Sequence, residues 1–264
     1  MIAAAAAVSC VDMLNISPVD QISSGNMWTT ESLVDKGMSG LYVNFYNNKS
    51  IDRVQIRHES FGGINRWGWM GMSVAANYLG DNSSPFPMLW SENKTADYFL
   101  IWYEWKWAYT SIHQINDAIK NLPASPVSEA KKARYLAEAK FLRAWFYARL
   151  NRIFGGSAYS SRLHGQTLET TLSVPLYLEV ISEKECIKTQ STAKQVWDAV
   201  IADCNDCIAC ADMPDNTLSS NYGRPSKGAA YALRGMAYLY LEDYRQAISD
   251  FEKVKECGYD FWKG

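Results

Sequence analysis

The chain lacks the features that mark several large classes of protein. It has 26 Lys and Arg against 28 Asp and Glu, a formal net charge of −2. Without the basic excess that phosphate contacts require, nucleic acid is not an expected partner. The longest apolar run, residues 2–8, is far too short to span a membrane. With 48% hydrophobic and 20% charged residues among 264, wholesale disorder and a collagenous or coiled-coil chain are also excluded.

Motifs for catalysis and for metal binding are also missing. The sequence contains no Gly-x-Ser-x-Gly, His-Glu-x-x-His or phosphate-loop pattern. Cys204, Cys207 and Cys210 are spaced like metal ligands, but a zinc site needs four ligands and no histidine lies nearby. Cys204 and Cys207 continue a helical stripe begun by Val196 and Val200, which favours packing of the thiols in the core. We therefore expect no enzyme, no cofactor and no metal ion.

The N-terminus predicts a lipid anchor. Residues 1–9 read MIAAAAAVS and precede Cys10. An apolar stretch that ends in small residues before a cysteine is typical of a bacterial lipoprotein signal, although the usual cationic start is missing here. We interpret residues 1–9 as the remnant of a signal peptide whose true start lies upstream, and Cys10 as the lipidated residue. The alternative is an Ala-rich start on a cytoplasmic protein.

Helical periodicity runs through most of the chain and predicts an all-α fold. Helices are expected at about residues 30–46 and 95–121. A third has Ser125 as N-cap and Pro126 at its first position, and it ends before Gly155 and Gly156. A fourth begins near residue 191 and ends before Pro214, and if it is the partner of the third, the connection between them has grown to nearly forty residues. A closely spaced pair is expected at about 226–241 and 243–257, with Gly258 as C-cap.

The last pair matches the tetratricopeptide pattern. Counting from Gly228, small or aromatic residues occupy five signature positions: Tyr231, Gly235, Tyr238, Ala247 and Phe251. Such residues let two antiparallel helices approach closely and let each pair pack against the next. Arg234 and Val254 depart from the consensus, and Tyr259 replaces the usual proline.

Residues 47–94 break the helical pattern. They show no convincing periodicity and contain five Gly and two Pro, although the chain as a whole is rich in aromatics, with ten Trp and sixteen Tyr. A long irregular segment in a compact domain is normally functional or disordered, and aromatic side chains argue against disorder. We therefore predict a long, ordered, aromatic-rich insertion that forms a binding surface.

Aromatic rings beside short polar side chains suit a carbohydrate ligand. Burying about 50 Å² of a sugar face on an indole contributes about 1.2 kcal/mol, and the hydroxyl groups then need polar partners. The predicted binding residues within the insertion are Arg66, Trp67, Trp69, Asn77, Tyr78, Asp81 and Trp90. The alternative is that these rings cover the ends of the helical stack.

Trp105, on the second helix, is instead expected in the core. Glu59, Asp81 and Glu92 are candidates for the paired carboxylates of a glycoside hydrolase, but solvated surface charge is the simpler interpretation.

Several motifs, taken jointly, are specific to one family. They are Cys10 with Leu-Asn-Ile-Ser-Pro-Val-Asp at 14–20, the helix from Trp102 to Ile119, Ala-Glu-Ala-Lys-Phe-Leu-Arg-Ala-Trp-Phe-Tyr at 137–147, Val-Pro-Leu at 174–176, and Gly-Arg-Pro-Ser-Lys-Gly-Ala-Ala-Tyr-Ala-Leu at 223–233. With these motifs the chain resembles the N-terminal part of the SusD/RagB-type outer-membrane glycan-binding lipoproteins of Bacteroidetes.

The resemblance implies tetratricopeptide-like helix pairs packed against a more irregular part. It implies a lipid anchor at the cell surface and non-catalytic oligosaccharide binding, often through aromatics before the second helix. It also implies delivery of starch or another polysaccharide to a TonB-dependent transporter of the SusC type. Residues 10–264 then form a SusD-like N-terminal domain truncated at its C-terminus, so that the last helix pair exposes a face its successor normally covers. The competing functions are a tetratricopeptide adaptor that binds peptides and, less favoured, a glycoside hydrolase.

Overall fold

The computed structural model describes residues 25–42, 99–218 and 223–260. Every regular element in these ranges is helical, apart from a single antiparallel bridge between Leu172 and Thr192. The helices are α1 (Glu31–Gly40), α2 (Phe99–Asn121), α3 (Glu129–Phe154), α4 (Ala158–Leu163), α5 (Ala193–Ala209), α6 (Lys227–Tyr240) and α7 (Tyr244–Glu256), with short 3₁₀ turns at Leu122–Ala124 and Glu183–Glu185. The all-α prediction is confirmed. In the described ranges, none of the helices combines the length and apolar character that crossing a membrane requires.

Helix α3 forms the centre of the fold. It packs against α2 and, most extensively, against α5, while α6 packs against α5 and α7. The third and fourth of the predicted helices therefore pack against each other across the long connection. The core around α3 is closed by fully buried large side chains, among them Ile112, Phe146, Tyr147 and Trp197. The short helix α4, which the sequence did not predict, lies in the long connection between α3 and α5.

The start of α3 differs from its prediction. Its N-cap is Ser128, whose side chain accepts from the Lys131 N–H, and not Ser125. Ser125 is unavailable because both its N–H and its hydroxyl donate to the carbonyl of Leu122, closing the 3₁₀ turn that ends α2. The predicted end is correct, since Gly155 is the C-cap.

Helix α1 is shorter than predicted. It begins after Thr30 as expected but ends at Gly40, and Leu41 and Tyr42 form a turn. The Ser39 hydroxyl donates to the carbonyl of Asp35 one turn earlier, and glycine follows directly. Back-bonding by serine and the conformational freedom of glycine both weaken a helix, so the last turn of α1 is a favourable place to stop.

The α6–α7 pair has the close approach that the tetratricopeptide pattern predicts. A Cβ atom on Gly235 would lie 3.0 Å from Cε1 of Phe251. Arg234, which departs from the consensus, makes a bidentate ion pair with Asp250, with N–O distances of 2.8 and 2.6 Å. Gly258, predicted as the C-cap, lies at φ 92° one residue beyond the observed C-cap Cys257, where the left-handed backbone that ends a helix favours glycine.

The cysteine stripe of α5 lies inside the molecule. Cys204 and Cys207 are fully buried and Cys210 is half-buried. Burial raises the pKa of the Cys207 thiol to about 12 and that of Cys204 well above its ordinary value, so both remain neutral. The prediction that Cys204 and Cys207 pack in the core is confirmed. No cluster of three potential metal-ligating side chains occurs within the ranges given above.

Candidate functional site

The predicted carbohydrate-binding residues lie outside the described residues. These residues are Arg66, Trp67, Trp69, Asn77, Tyr78, Asp81 and Trp90. The same holds for the lipidation candidate Cys10 and for the acidic residues Glu59 and Glu92. Their assignment therefore stays a prediction, and the site is built here from the helices that flank the insertion.

A run of residues 173–179 without regular secondary structure, which we call the strap, lies against α2. The Tyr109 hydroxyl donates to the carbonyl of Pro175 at 2.7 Å. The Asn116 amide donates to the carbonyls of Tyr177 and Glu179 at 2.8 and 3.0 Å. Burial raises the pKa of Tyr109, so its hydroxyl remains a donor. Two side chains of α2 thus hold three peptide groups of the strap.

Helix α3 holds the strap from beneath. The Tyr147 hydroxyl donates to the Tyr177 carbonyl and accepts from the Tyr177 N–H, at 2.9 and 2.7 Å. Arg143 donates to the carbonyl of Leu178 at 2.6 Å and makes a bidentate ion pair with Asp203 of α5. Both charged side chains are almost completely buried. Burial raises the pKa of Asp203, against the lowering effect of the Arg143 guanidinium.

The chain that leads into α5 completes the support. The Gln190 side chain donates to the carbonyl of Ser173, and the Ser191 N–H donates to the carbonyl of Val174. The Lys188 ammonium group donates to the carbonyl of Leu176. Every carbonyl from residue 173 to residue 179 therefore accepts a hydrogen bond. A segment with all its carbonyls bonded forms a rigid wall, because moving it would break several of these bonds at once.

A groove of about 390 Å³, which we call the strap groove, lies between α2 and the strap. Three rings line it in succession. The ring centroids of Trp105 and Tyr109 are 4.9 Å apart, and those of Tyr109 and Tyr177 are 5.7 Å apart with nearly perpendicular planes. Trp105 is half-buried and packs edge-to-face on Phe154, so the expectation that it belongs to the core holds for one side of its ring.

Polar side chains lie beside the rings of the strap groove. His113, Glu179 and Lys188 contribute to its lining and are exposed. The exposed side chains of Cys186 and Ile187 complete this part of the lining, and Ile187 is 94% exposed. The groove thus combines aromatic surface with one carboxylate, one ammonium group and one imidazole.

The sequence reasoning missed the strap groove, although part of its signal was visible. Trp105, Tyr109, Ile112 and Asn116 recur at helical spacing on one face of α2. Residues 174–176 were noted only as a motif of resemblance. Nothing in the spacing indicated that this motif would pack on that helix face.

A second polar cluster lies at the other end of α3. The Glu138 carboxylate, fully buried, accepts hydrogen bonds from the Tyr42 hydroxyl at 2.9 Å, from Arg134 at 3.1 Å and from Arg224 at 2.8 Å. The Arg224 guanidinium also lies 5.2 Å from the centroid of the Tyr42 ring. These contacts join the end of α1 to α3 and to the segment before α6, and they leave the charges paired with one another. We interpret the cluster as structural.

The comparisons with known proteins decide the family. Residues 70–241 match the family model of SusD-like proteins, which is described as starch-binding and associating with the outer membrane. The chain belongs to the SusD-like family. The resemblance indicated by the sequence motifs is therefore confirmed.

Individual relatives agree with this assignment. The SusD-like protein P38 of Formosa agariphila is 27% identical over 244 residues, which is 90% of this chain and 41% of that protein. A solved SusD-like protein from Bacteroides fragilis shares the fold, with a TM-score of 0.66 at 22% identity over 94% of this chain and 42% of its own. A solved laminarin-binding SusD-like protein is 28% identical, with a TM-score of 0.51 over 60% of this chain and 32% of its own. The chain thus spans less than half the length of these relatives.

Proposed function

We propose that this chain is part of a cell-surface lipoprotein that binds oligosaccharides without cleaving them and delivers them to a SusC-like, TonB-dependent transporter of the outer membrane. The match of residues 70–241 to a starch-binding, outer-membrane-associated family carries the proposal. The likeness to a laminarin-binding protein supports a glycan ligand. The expected localisation is the outer surface of the cell, with the lipid anchor on Cys10.

The principal glycan contacts are assigned to the aromatic insertion. Trp67, Trp69 and Trp90 supply flat apolar surface for the C–H faces of sugar rings. Arg66, Asn77, Tyr78 and Asp81 supply partners for the hydroxyl groups: the Arg66 guanidinium donates, the Asp81 carboxylate accepts, and the Asn77 amide and the Tyr78 hydroxyl do both. In the sequence, the insertion directly precedes α2, a helix of the α2–α3–α5 body.

Calorimetric titration of the full-length protein with maltoheptaose and with laminarihexaose tests the binding. Changing Trp67, Trp69 and Trp90 together to alanine should abolish binding of the sugar that the wild type binds. Tyr244→Ala is the matched control, because Tyr244 is an exposed aromatic on α7 and lies outside the insertion. Unchanged binding by the triple variant would refute the assignment of these residues, and release of shorter sugars during incubation would refute non-catalytic binding.

The anchor and the partner have their own tests. Metabolic labelling with a radioactive fatty acid should label the wild type and leave Cys10→Ser unlabelled and displaced from the outer-membrane fraction. A SusC-like transporter should copurify with the lipidated protein from that fraction. A soluble, unlabelled wild-type protein that retains a bound peptide would instead indicate a tetratricopeptide adaptor.

A further inference from the structure

The strap groove has the dimensions of a small-molecule site. Its volume of about 390 Å³ lies within the range of roughly 300–1,000 Å³ that is usual for ligand pockets. The lining is mostly aromatic and aliphatic, with a small number of polar groups, which is the usual composition of such pockets. One of its walls is the strap, whose carbonyls are all held by hydrogen bonds, so the groove is formed before any ligand arrives.

The polar groups of the groove have unused hydrogen-bonding capacity. Among the described residues, neither the His113 ring nor the Glu179 carboxylate has a hydrogen-bonding partner. Lys188 uses one N–H for the carbonyl of Leu176, which leaves two for a ligand, and its ammonium group lies 5.7 Å from the centroid of the Tyr177 ring. A ligand with several hydroxyl groups would find both donors and acceptors here.

The strap is unsuited to binding an extended peptide. A peptide that adds to an exposed strand is held by main-chain hydrogen bonds to free carbonyl and N–H groups. Every carbonyl of residues 173–179 already accepts a hydrogen bond from α2, from α3 or from the chain before α5. The strap therefore offers a peptide no row of free carbonyls, and we assign the specific contacts to the side chains of the groove. Aromatic faces next to unpaired polar side chains match the alternation of C–H faces and hydroxyl groups on a sugar ring.

From this geometry we propose that the strap groove is a second glycan subsite, in which a sugar ring packs on Tyr177 and Trp105 and its hydroxyl groups bond to His113, Glu179 and Lys188. This inference rests on the proposed function, because it places part of the same oligosaccharide on the helical body. The aromatic insertion precedes α2 directly in the chain, and Trp105 lies near the beginning of α2.

Cys186 supplies a direct reporter of occupancy. It is exposed and lines the groove, whereas Cys204, Cys207 and Cys257 are buried. In the full-length protein, iodoacetamide should alkylate Cys186 about tenfold more slowly when maltoheptaose or laminarihexaose is present at about ten times its dissociation constant, because the free fraction falls by that factor. Cys210 is half-buried and does not line the groove, so its unchanged rate is the internal reference.

Side-chain variants then test which groups bind the sugar. The double variant His113→Ala with Glu179→Ala should lose the protection of Cys186 and weaken glycan binding about tenfold, the effect of removing one or two hydrogen bonds to the ligand. The matched control is His164→Ala with Glu252→Ala, which removes an exposed histidine and an exposed glutamate away from the groove. This control should leave both the protection and the affinity unchanged.

The outcomes separate the two proposals. If calorimetry detects glycan binding but the Cys186 rate does not change at saturation, the subsite is refuted and the proposed function stands. If neither glycan nor any other polysaccharide fragment binds, both fall together. Protection of Cys186 by a tryptophan-containing tripeptide, but by neither sugar, would assign the groove to a protein partner and overturn the proposal.

Discussion

Replacing Arg143 by methionine should reveal how strongly the buried polar contacts hold the strap and the helices together. Arg143 is 6% exposed and its partner Asp203 is 5% exposed. The change keeps a long apolar side chain but leaves the Asp203 carboxylate buried without its cation. The carbonyl of Leu178 and the side-chain oxygen of Asn116 also lose a donor, at present 2.6 and 2.8 Å away.

The expected loss of stability follows from the burial of both charged side chains. Breaking a buried ion pair by removing one partner costs about 3–5 kcal/mol. For a protein of this size, a loss of about 4 kcal/mol lowers Tm by about 8–16 °C. The double variant Arg143→Met with Asp203→Leu replaces the whole pair by apolar groups, so only the bonds to Asn116 and Leu178 remain lost, about 1 kcal/mol each. The double variant should therefore be about 2 kcal/mol more stable than Arg143→Met alone.

Urea denaturation of the wild type and both variants measures these differences, at neutral pH and at about pH 5. Without Arg143, the folded-state pKa of Asp203 rises further above its unfolded value. The loss of stability caused by the unpaired Asp203 carboxylate is therefore present at high pH and diminishes as the pH falls through the raised pKa, because the carboxyl group then becomes neutral. The free energy of unfolding of Arg143→Met should approach that of the wild type in acid. Lys194→Met, which breaks the exposed pair with Asp198, should cost less than about 1 kcal/mol. The reasoning is wrong if the double variant is no more stable than Arg143→Met, or if the stability deficit of Arg143→Met does not depend on pH.

Three further changes test other contacts. Gly155→Ala should destabilise the fold by about 1–3 kcal/mol, because its Cβ would meet Ser173 Oγ at 2.5 Å, whereas Gly40→Ala, with open space around it, should be neutral or slightly stabilising in the same melting experiment. Glu138→Gln should cost about 2 kcal/mol in urea denaturation through loss of charged hydrogen bonds, and an unchanged midpoint would show that the buried carboxylate is dispensable. The hydrogen bond from Lys131 lowers the pKa of Asp35. The ionised Asp35 carboxylate therefore stabilises the fold above its ordinary pKa of 3.8, and this stabilisation is lost as the pH falls through the lowered pKa. The difference in stability between the wild type and Asp35→Asn should close below that pH.

Local patterns were sufficient to predict most helix ends and one helix pair. Gly155 was placed correctly at the end of α3, and Gly258, predicted as the C-cap of α7, lies one residue after the observed C-cap Cys257, because a helix end involves residues only three or four positions apart. The close approach of α7 to Gly235 was predicted for a similar reason, because two helices joined by a tight turn must pack against each other. The seven predicted sugar-binding residues are untested and depend on experiments on the insertion.

The start of α3 shows where local patterns fail. Ser125 followed by proline and Ser128 followed by glutamate are both good N-cap signals, and nothing within the segment ranks them. The choice was made by burial, because Ser125 and Val127 are both turned into the core. The hydroxyl of Ser125 must then satisfy the carbonyl of Leu122, and only Ser128 remains free to cap the helix.

The sequence by itself determined that this chain is helical, where most of its helices end, and which family it belongs to, because these features depend on residues close together along the chain or on motifs that can be compared directly. Only the tertiary structure decided the strap and its groove. The strap has no periodicity of its own, and its carbonyls are satisfied by side chains as far away as Tyr109, 66 residues before Pro175. Contacts over such distances are set by how the helices pack, so the groove exists only once α2, α3 and α5 have come together.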